Sequence, residues 1–138
     1  PEWIRLAENK GLDLGFELQA CHVKGDALLL GEMITNLVNN ALIYTPPPGE
    51  VTLRCGEIGG KTFIEVEDTG PGIPSEFRER VFERFFRLPA ASSPGGGLGL
   101  PIVREIARGF GGRVDILTPV SGKGVLLRVT LPPVARNA

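Results

Sequence analysis

Asp68-Thr-Gly-Pro-Gly-Ile-Pro74 and Gly95-Gly-Gly-Leu-Gly-Leu100 are the two turns on which the reading of this chain depends. Glycine is kept where the backbone takes positive φ or approaches a neighbour closely. Two such points around one irregular segment predict a ligand pocket with a lid. Before the first turn, Lys61-Thr-Phe-Ile-Glu-Val-Glu-Asp68 alternates as a strand, and the pleat puts Asp68 on the side of Ile64 and Val66. A carboxylate at the edge of an apolar face costs several kcal/mol unless donors reach it. An Asx-turn opening Thr69-Gly70-Pro71-Gly72 explains the same aspartate without any ligand.

After the second turn, Pro101 fits only the first turn of a helix. Ile102, Val103, Ile106 and Phe110 give that helix a buried face, and Gly111-Gly112 end it. The glycine run therefore stands at a helix N-terminus, where free N–H groups and a partial positive charge favour anions.

A second polar anomaly lies upstream. Asp26 is a good N-cap for a helix that runs to about Tyr44 and is stopped by Pro46-Pro47-Pro48. Leu30, Met33, Ile34, Leu37, Ala41 and Tyr44 form its apolar stripe. The adjacent face carries Glu32, Asn36, Asn39, Asn40 and Ile43, with Asn36 and Asn40 one turn apart. Asparagine is a mediocre helix former, so this face costs propensity that a ligand or plain solvation has to offset.

The remaining elements follow from patterning. Residues 1–10 place Trp3, Leu6, Ala7 and Lys10 at helical spacing before Gly11, and 1–11 is expected to be the tail of an upstream helix. Leu12, Leu14, Phe16 and Leu18 alternate as a half-buried strand. Val51-Thr-Leu-Arg-Cys55 pairs with the strand ending at Asp68 through Gly59-Gly60. Residues 75–88 have helix-like spacing, but Phe77, Phe82, Phe85 and Phe86 beside a glycine-rich tether suit a lid. Arg113–Leu117 and Val125–Leu131 close the fold. Helices set apart from mainly antiparallel strands predict an α+β, two-layer sandwich over residues 12–131, with 132–138 as a tail.

Composition bounds the function. One domain of 138 residues can bury an ordinary core, and 15 lysines and arginines against 16 acidic residues leave no field for nucleic acid. Cys21 and Cys55 form no disulfide framework or metal motif, and Cys55 reads as a small buried thiol. No stretch reaches the roughly 20 apolar residues of a membrane span, so a cytoplasmic location is expected. A Gly-x-x-x-x-Gly-Lys loop, a Rossmann glycine turn after a strand and a protein-kinase His-Arg-Asp are all missing from the sequence.

Asn36-Leu-Val-Asn-Asn40-Ala-Leu-Ile-Tyr-Thr-Pro46, Asp68 to Pro74, Phe82-Glu-Arg-Phe-Phe-Arg87 and Gly95 to Leu100 occur in that order. Together they resemble the four nucleotide-binding boxes of the catalytic ATP-binding domain of bacterial sensor histidine kinases, across nearly the whole chain. The resemblance implies a Bergerat-type ATP-binding fold, with ATP and Mg²⁺ as cofactors. It implies that Asp68 accepts from the adenine amino group, that Gly70, Gly72 and Ile73 let backbone meet the base, and that Tyr44 borders the nucleotide. Asn36 would hold Mg²⁺, a hard ion suited to an amide oxygen, and Asn40 would contact phosphates. Gly97, Leu98, Gly99 and Leu100 would wrap the phosphates, and Arg84 or Arg87 would reach the terminal one.

Two departures from the family stand out: Ile43 replaces a frequent lysine or arginine, and Gly96 replaces a threonine or serine. The hydrolytic relatives usually carry a glutamate general base where this chain has Asn36, and an amide takes no proton from water. Transfer is therefore expected over hydrolysis. The implied acceptor is a histidine on a separate dimerisation domain of a parent homodimer anchored in the membrane, with a response regulator downstream. His22 lacks the acidic neighbour and the helix of such an acceptor, so it reads as structural and the chain alone as a monomer that does not phosphorylate itself. An ATPase, a protein-serine kinase of the same superfamily and a degenerate nucleotide-binding docking module are the alternatives.

Overall fold

A computed structural model describes residues 2–84, 86 and 99–134. Its elements are α1 (Glu2–Lys10), β1 (Leu12–Leu18), α2 (Ala27–Tyr44), β2 (Gly49–Ile58), β3 (Lys61–Asp68), α3 (Leu100–Gly109), β4 (Arg113–Leu117) and β5 (Val125–Leu131). The strands form one sheet in the order β1-β2-β3-β5-β4. Only β1 and β2 run parallel, because α2 makes the crossover between them; the other pairs are antiparallel. This is the α+β two-layer sandwich expected from the element order.

The register fixes the two faces of the sheet. Phe16, Leu53, Val66, Leu127 and Ile116 lie in one row across all five strands, on the side the helices cover. The next residues, Glu17, Arg54, Glu65, Arg128 and Asp115, form a row of alternating charge on the opposite side. There Arg54 Nε donates to Glu17 Oε2 at 2.7 Å and Arg128 Nε to Glu65 Oε2 at 2.7 Å. Glu65 is buried between the Arg54 and Arg128 side chains. The open face thus rests on cross-strand ion pairs, and the closed face on apolar burial.

α2 begins as its sequence requires, with Asp26 Oδ1 accepting from Leu28 N at 2.8 Å. Its far end is held by α1, whose Lys10 Nζ donates to Leu42 O and Ile43 O at 2.7 Å each. A cation on the last carbonyls of a helix also complements its dipole. Ala7 of α1 belongs to the common core, and Trp3 meets Phe16 at 6.0 Å between ring centroids. α3 ends in a Schellman motif: Gly112 N donates to Ala107 O and Gly111 N to Arg108 O, with Gly111 at φ +82°. No helix among the described residues is long and apolar enough to cross a membrane.

Several expectations need correction. The helix-like spacing after Pro74 yields two 3₁₀ turns, Ser75–Phe77 and Arg80–Phe82, instead of one helix. Arg78 sets the break between them, because its guanidinium reaches across to Ile116 O and Thr118 Oγ1 while Val81 enters the core. Ile102 is exposed, since only one side of α3 meets α2 and the sheet. Val38 and Leu42, outside the predicted stripe of α2, are fully buried because that helix is covered by both the sheet and α3. β1 is buried only at its start, being the edge strand, and Leu18 stays exposed. Cys55 is only partly buried, with its Sγ 3.5 Å from Gln19 O.

Candidate functional site

The pleat of β3 carries Asp68 to the helix side of the sheet, between Val51 of β2 and Val125 of β5. The residue is 4% exposed. Its Oδ1 accepts from Gly70 N at 2.9 Å, which is the Asx-turn open at the sequence level, and the Val125 N–H donates as well. Burial lifts its pKa from 3.8 to about 6, those two hydrogen bonds hold it down, and the charge of Glu67 adds a little to the rise. Local turn and buried acceptor are therefore the same residue.

Glycines let three chain segments close around this carboxylate. A Cβ on Gly70 would lie 3.1 Å from both Asp68 Oδ1 and Tyr44 O, bringing the turn onto the end of α2. Gly124, at φ +87°, passes so close to Asp68 that a Cβ there would come within 1.8 Å of its carbonyl oxygen. Asn40, Tyr44, Asp68, Gly72 and Ile73 line one hollow together with Pro71 and Val125. Its volume is about 30 Å³, room for a water or two and less than a purine requires.

Asn40 is 5% exposed, and its Oδ1 finds no hydrogen-bond donor among the described residues. Thr45 Oγ1, in the next turn of chain, is in the same state. One helical turn before Asn40, Asn36 Nδ2 donates to Glu32 O at 2.9 Å, and Oδ1 has no donor among the described residues. That oxygen faces Gly99: a Cβ there would stand 2.5 Å from it. Gly99 takes φ +69° as the N-cap of α3 and supplies no side-chain cap. The first N–H groups of α3 therefore open beside an amide oxygen.

The structure thus brings Asn40, Tyr44, Asp68, Gly72 and Ile73 to one hollow, with Gly70 behind it and Asn36 and Gly99 beyond. The Leu100 side chain is fully buried in the core, so only its backbone can face a ligand. Arg84 is exposed and makes no ion pair among the described residues. Arg87, Gly97 and Leu98 lie outside the described residues, as do Phe85, Gly96 and the glycine run before Gly99. Ile43 is exposed and does not line the hollow. Sequence reading missed Gly124 and Val125. Their signal was Gly122 and Gly124 ahead of an alternating strand, which reads equally well as an ordinary turn. At His22 the backbone N donates to Glu57 Oε1 at 3.0 Å and the carbonyl accepts from Thr62 Oγ1 at 2.7 Å, while the imidazole is exposed. No group of three histidine, cysteine or acidic side chains suited to a metal is found among the described residues.

A buried acceptor, two amides on one helix face and a glycine-capped helix start, on a mixed sheet under helices, define a Bergerat-type ATPase fold. Residues 25–135 match the family described as histidine kinase-, DNA gyrase B- and HSP90-like ATPases, and the chain belongs to that family. It is 38% identical over 138 residues to the sensor protein kinase PmrB of Pseudomonas aeruginosa, covering 99% of this chain and 29% of that protein. It is 43% identical over 115 residues to the kinase/phosphatase MprB of Mycolicibacterium vanbaalenii, covering 80% and 24% respectively. The solved mycobacterial sensor histidine kinase MprB superposes with a TM-score of 0.81 at 34% identity, over 95% of this chain and 91% of that one. The catalytic domain of the histidine kinase ThkA gives 0.80 at 27%, over 95% and 86%. The chain spans less than a third of the length of these two curated relatives. It is an ATP-binding catalytic domain of the histidine kinase superfamily.

Proposed function

We propose that this domain binds Mg²⁺–ATP and donates the γ-phosphoryl group to a histidine on a separate dimerisation domain of a two-component sensor kinase. The observation that carries the reading is Asp68, a buried carboxylate held at the rim of a hollow beside an amide oxygen that has no donor among the described residues. A buried acceptor aimed at a hollow suits the exocyclic amine of adenine. The residues fit the nucleotide, although the hollow is small: Tyr44 or Pro71 has to move outward to admit the base.

In this reading Asn40 offers its amide to the phosphates, while Asn36 offers an oxygen ligand to Mg²⁺ beside the start of α3. The metal, when bound, neutralises charge on the phosphates. The α3 N-terminus and a lid arginine, Arg84 or Arg87, add positive potential at the same end. Rate then comes from positioning and charge stabilisation. Asn36 cannot act as a general base toward water, so the phosphoryl group survives until a better nucleophile docks. His22 lies between Cys21 and Val23, without the acidic neighbour of such an acceptor, and in this reading does not serve as one. The proposed setting is the cytoplasmic side of a membrane-anchored homodimer that passes the phosphoryl group to a response regulator.

The test is transfer of radiolabelled γ-phosphate from ATP to a separately expressed, histidine-bearing dimerisation domain. Labelling that needs both proteins and disappears in Asp68→Asn supports the proposal. ATP turnover by this chain with no acceptor present points to an ATPase instead. Ile43, an exposed isoleucine where the resemblance leads one to expect a lysine or arginine, favours a second reading, a degenerate nucleotide-binding docking module. Tight ADP binding without any transfer selects it.

A further inference from the structure

A cavity of about 490 Å³ shares no lining residue with the Asp68 hollow. Arg113, Val114, Asp115 and Ile116 all line it. Successive side chains of a strand point to opposite faces, so four consecutive residues bordering one cleft place that cleft along the strand's edge. β4 is the outermost strand and pairs with β5 alone. Ile116 O accepts from Arg78 Nη1 at 3.3 Å, so the backbone groups of Ile116 turn toward this edge. The period of two turns those of Val114 the same way, and no other backbone among the described residues pairs with them.

The walls are basic. Four arginines, Arg78, Arg104, Arg108 and Arg113, face the cleft against two carboxylates, those of Glu79 and Asp115. Among the described residues Arg78 donates to the neutral acceptors Ile73 O, Ile116 O and Thr118 Oγ1 and makes no ion pair, so its guanidinium is held in place without a carboxylate partner there. Arg104 pairs with Glu79 at 2.7 Å, and Arg113 with Asp115 at 2.8 Å. Arg108 makes no ion pair among the described residues. An open strand edge with an excess of fixed guanidinium charge fits one kind of occupant.

We propose that this edge receives an acidic, extended segment of a partner protein, laid along β4 as an added strand. The pairing is short, because Arg78 already occupies Ile116 O and leaves the N–H of Ile116 with both backbone groups of Val114. Main-chain hydrogen bonds hold the segment, and its carboxylates meet Arg104, Arg108 and Arg113. This interaction does not depend on nucleotide binding at Asp68.

The experiment is fluorescence polarisation of a labelled octapeptide of alternating glutamate and threonine, titrated with this protein. Saturable binding is expected, weakened about tenfold or more in the double variant Arg108→Glu/Arg113→Glu. Both side chains lie outside the core, and an unchanged melting temperature verifies that the variant folds. A peptide with glutamine for glutamate, and one with alternate amides N-methylated, should each lose about the same factor. Saturating Mg²⁺–ADP should leave the affinity unchanged. Absence of binding at about 1 mM peptide overturns the proposal. So does equal affinity for the N-methylated peptide, which means charge alone, or displacement by ADP, which means the other site. Displacement by micromolar tripolyphosphate marks a small-anion site instead, and self-association that blocks the peptide marks a second copy as the occupant; either outcome also overturns it.

Discussion

Asp68 carries opposed demands: its carboxylate accepts two backbone N–H groups yet loses most of its hydration. The folded-state pKa of about 6 against 3.8 means that the native protein holds a proton the unfolded chain has released. Stability from this group is full below pH 4 and is lost as pH rises through 6, by about 3 kcal/mol in total. Asp68→Asn keeps an acceptor for Gly70 and Val125 and removes the charge. It should therefore gain up to about 3 kcal/mol on wild type at pH 8 and almost nothing at pH 3.5, measured by urea unfolding. An equal effect at both pH values would mean that the carboxylate is not desolvated. The same variant should bind ADP about ten- to a hundredfold more weakly by calorimetry, since its amide can turn a donor toward the adenine amine. In the proposed function Asn36 serves the metal and not the base. Asn36→Ala should abolish most of the Mg²⁺ dependence of ADP affinity while leaving metal-free affinity within about twofold. A uniform loss with and without metal would remove Asn36 from the metal's ligands.

At the scale of elements, the site is a junction of three ends: the C-terminus of α2, the turn after β3 and the start of β5. Lys10 fixes the first of these from α1, and Gly124 allows the last to cross Asp68. Gly124→Ala meets a backbone oxygen that has nowhere to go. A loss on the order of 3 kcal/mol or more is expected, with ADP binding impaired in whatever still folds. Gly59→Ala is the control: it also has positive φ, at +59°, but among the described residues no atom beyond its chain neighbours lies within 4 Å of the added Cβ. It should cost only about 1 kcal/mol and spare ADP binding. Equal costs by denaturant titration would mean that the close approach at Gly124 relaxes freely.

For the whole molecule, the sheet is closed by helices on one face and by an ion-pair row on the other, so the proposed nucleotide site sits between the layers and at one end of them. A ligand specific for this native arrangement raises the melting temperature. At a hundred times its dissociation constant, Mg²⁺–ADP should add about 2.7 kcal/mol, or roughly 5–10 °C. A flat response across millimolar ADP would show that the hollow lined by Tyr44 and Pro71 does not open.

Element order, the sandwich class and the candidate residues of the first turn were legible in the chain itself. Strand alternation, an aspartate cap and proline and glycine stops are local signals, and the pleat alone placed Asp68 on the apolar side. The double role of Asp68 was not legible, because its second donor, Val125, lies far along the chain and reaches it only through the β3–β5 register. Nor was the break in the helix-like run after Pro74, where Arg78 reaches a strand that forms much later in the sequence. Sequence by itself determined which residue types were out of place: buried-side carboxylate, paired amides, clustered glycines. Tertiary structure alone decided which of them share a site, because hydrogen-bond partners and close approaches between distant segments depend on sheet register and layer packing, which no local pattern encodes.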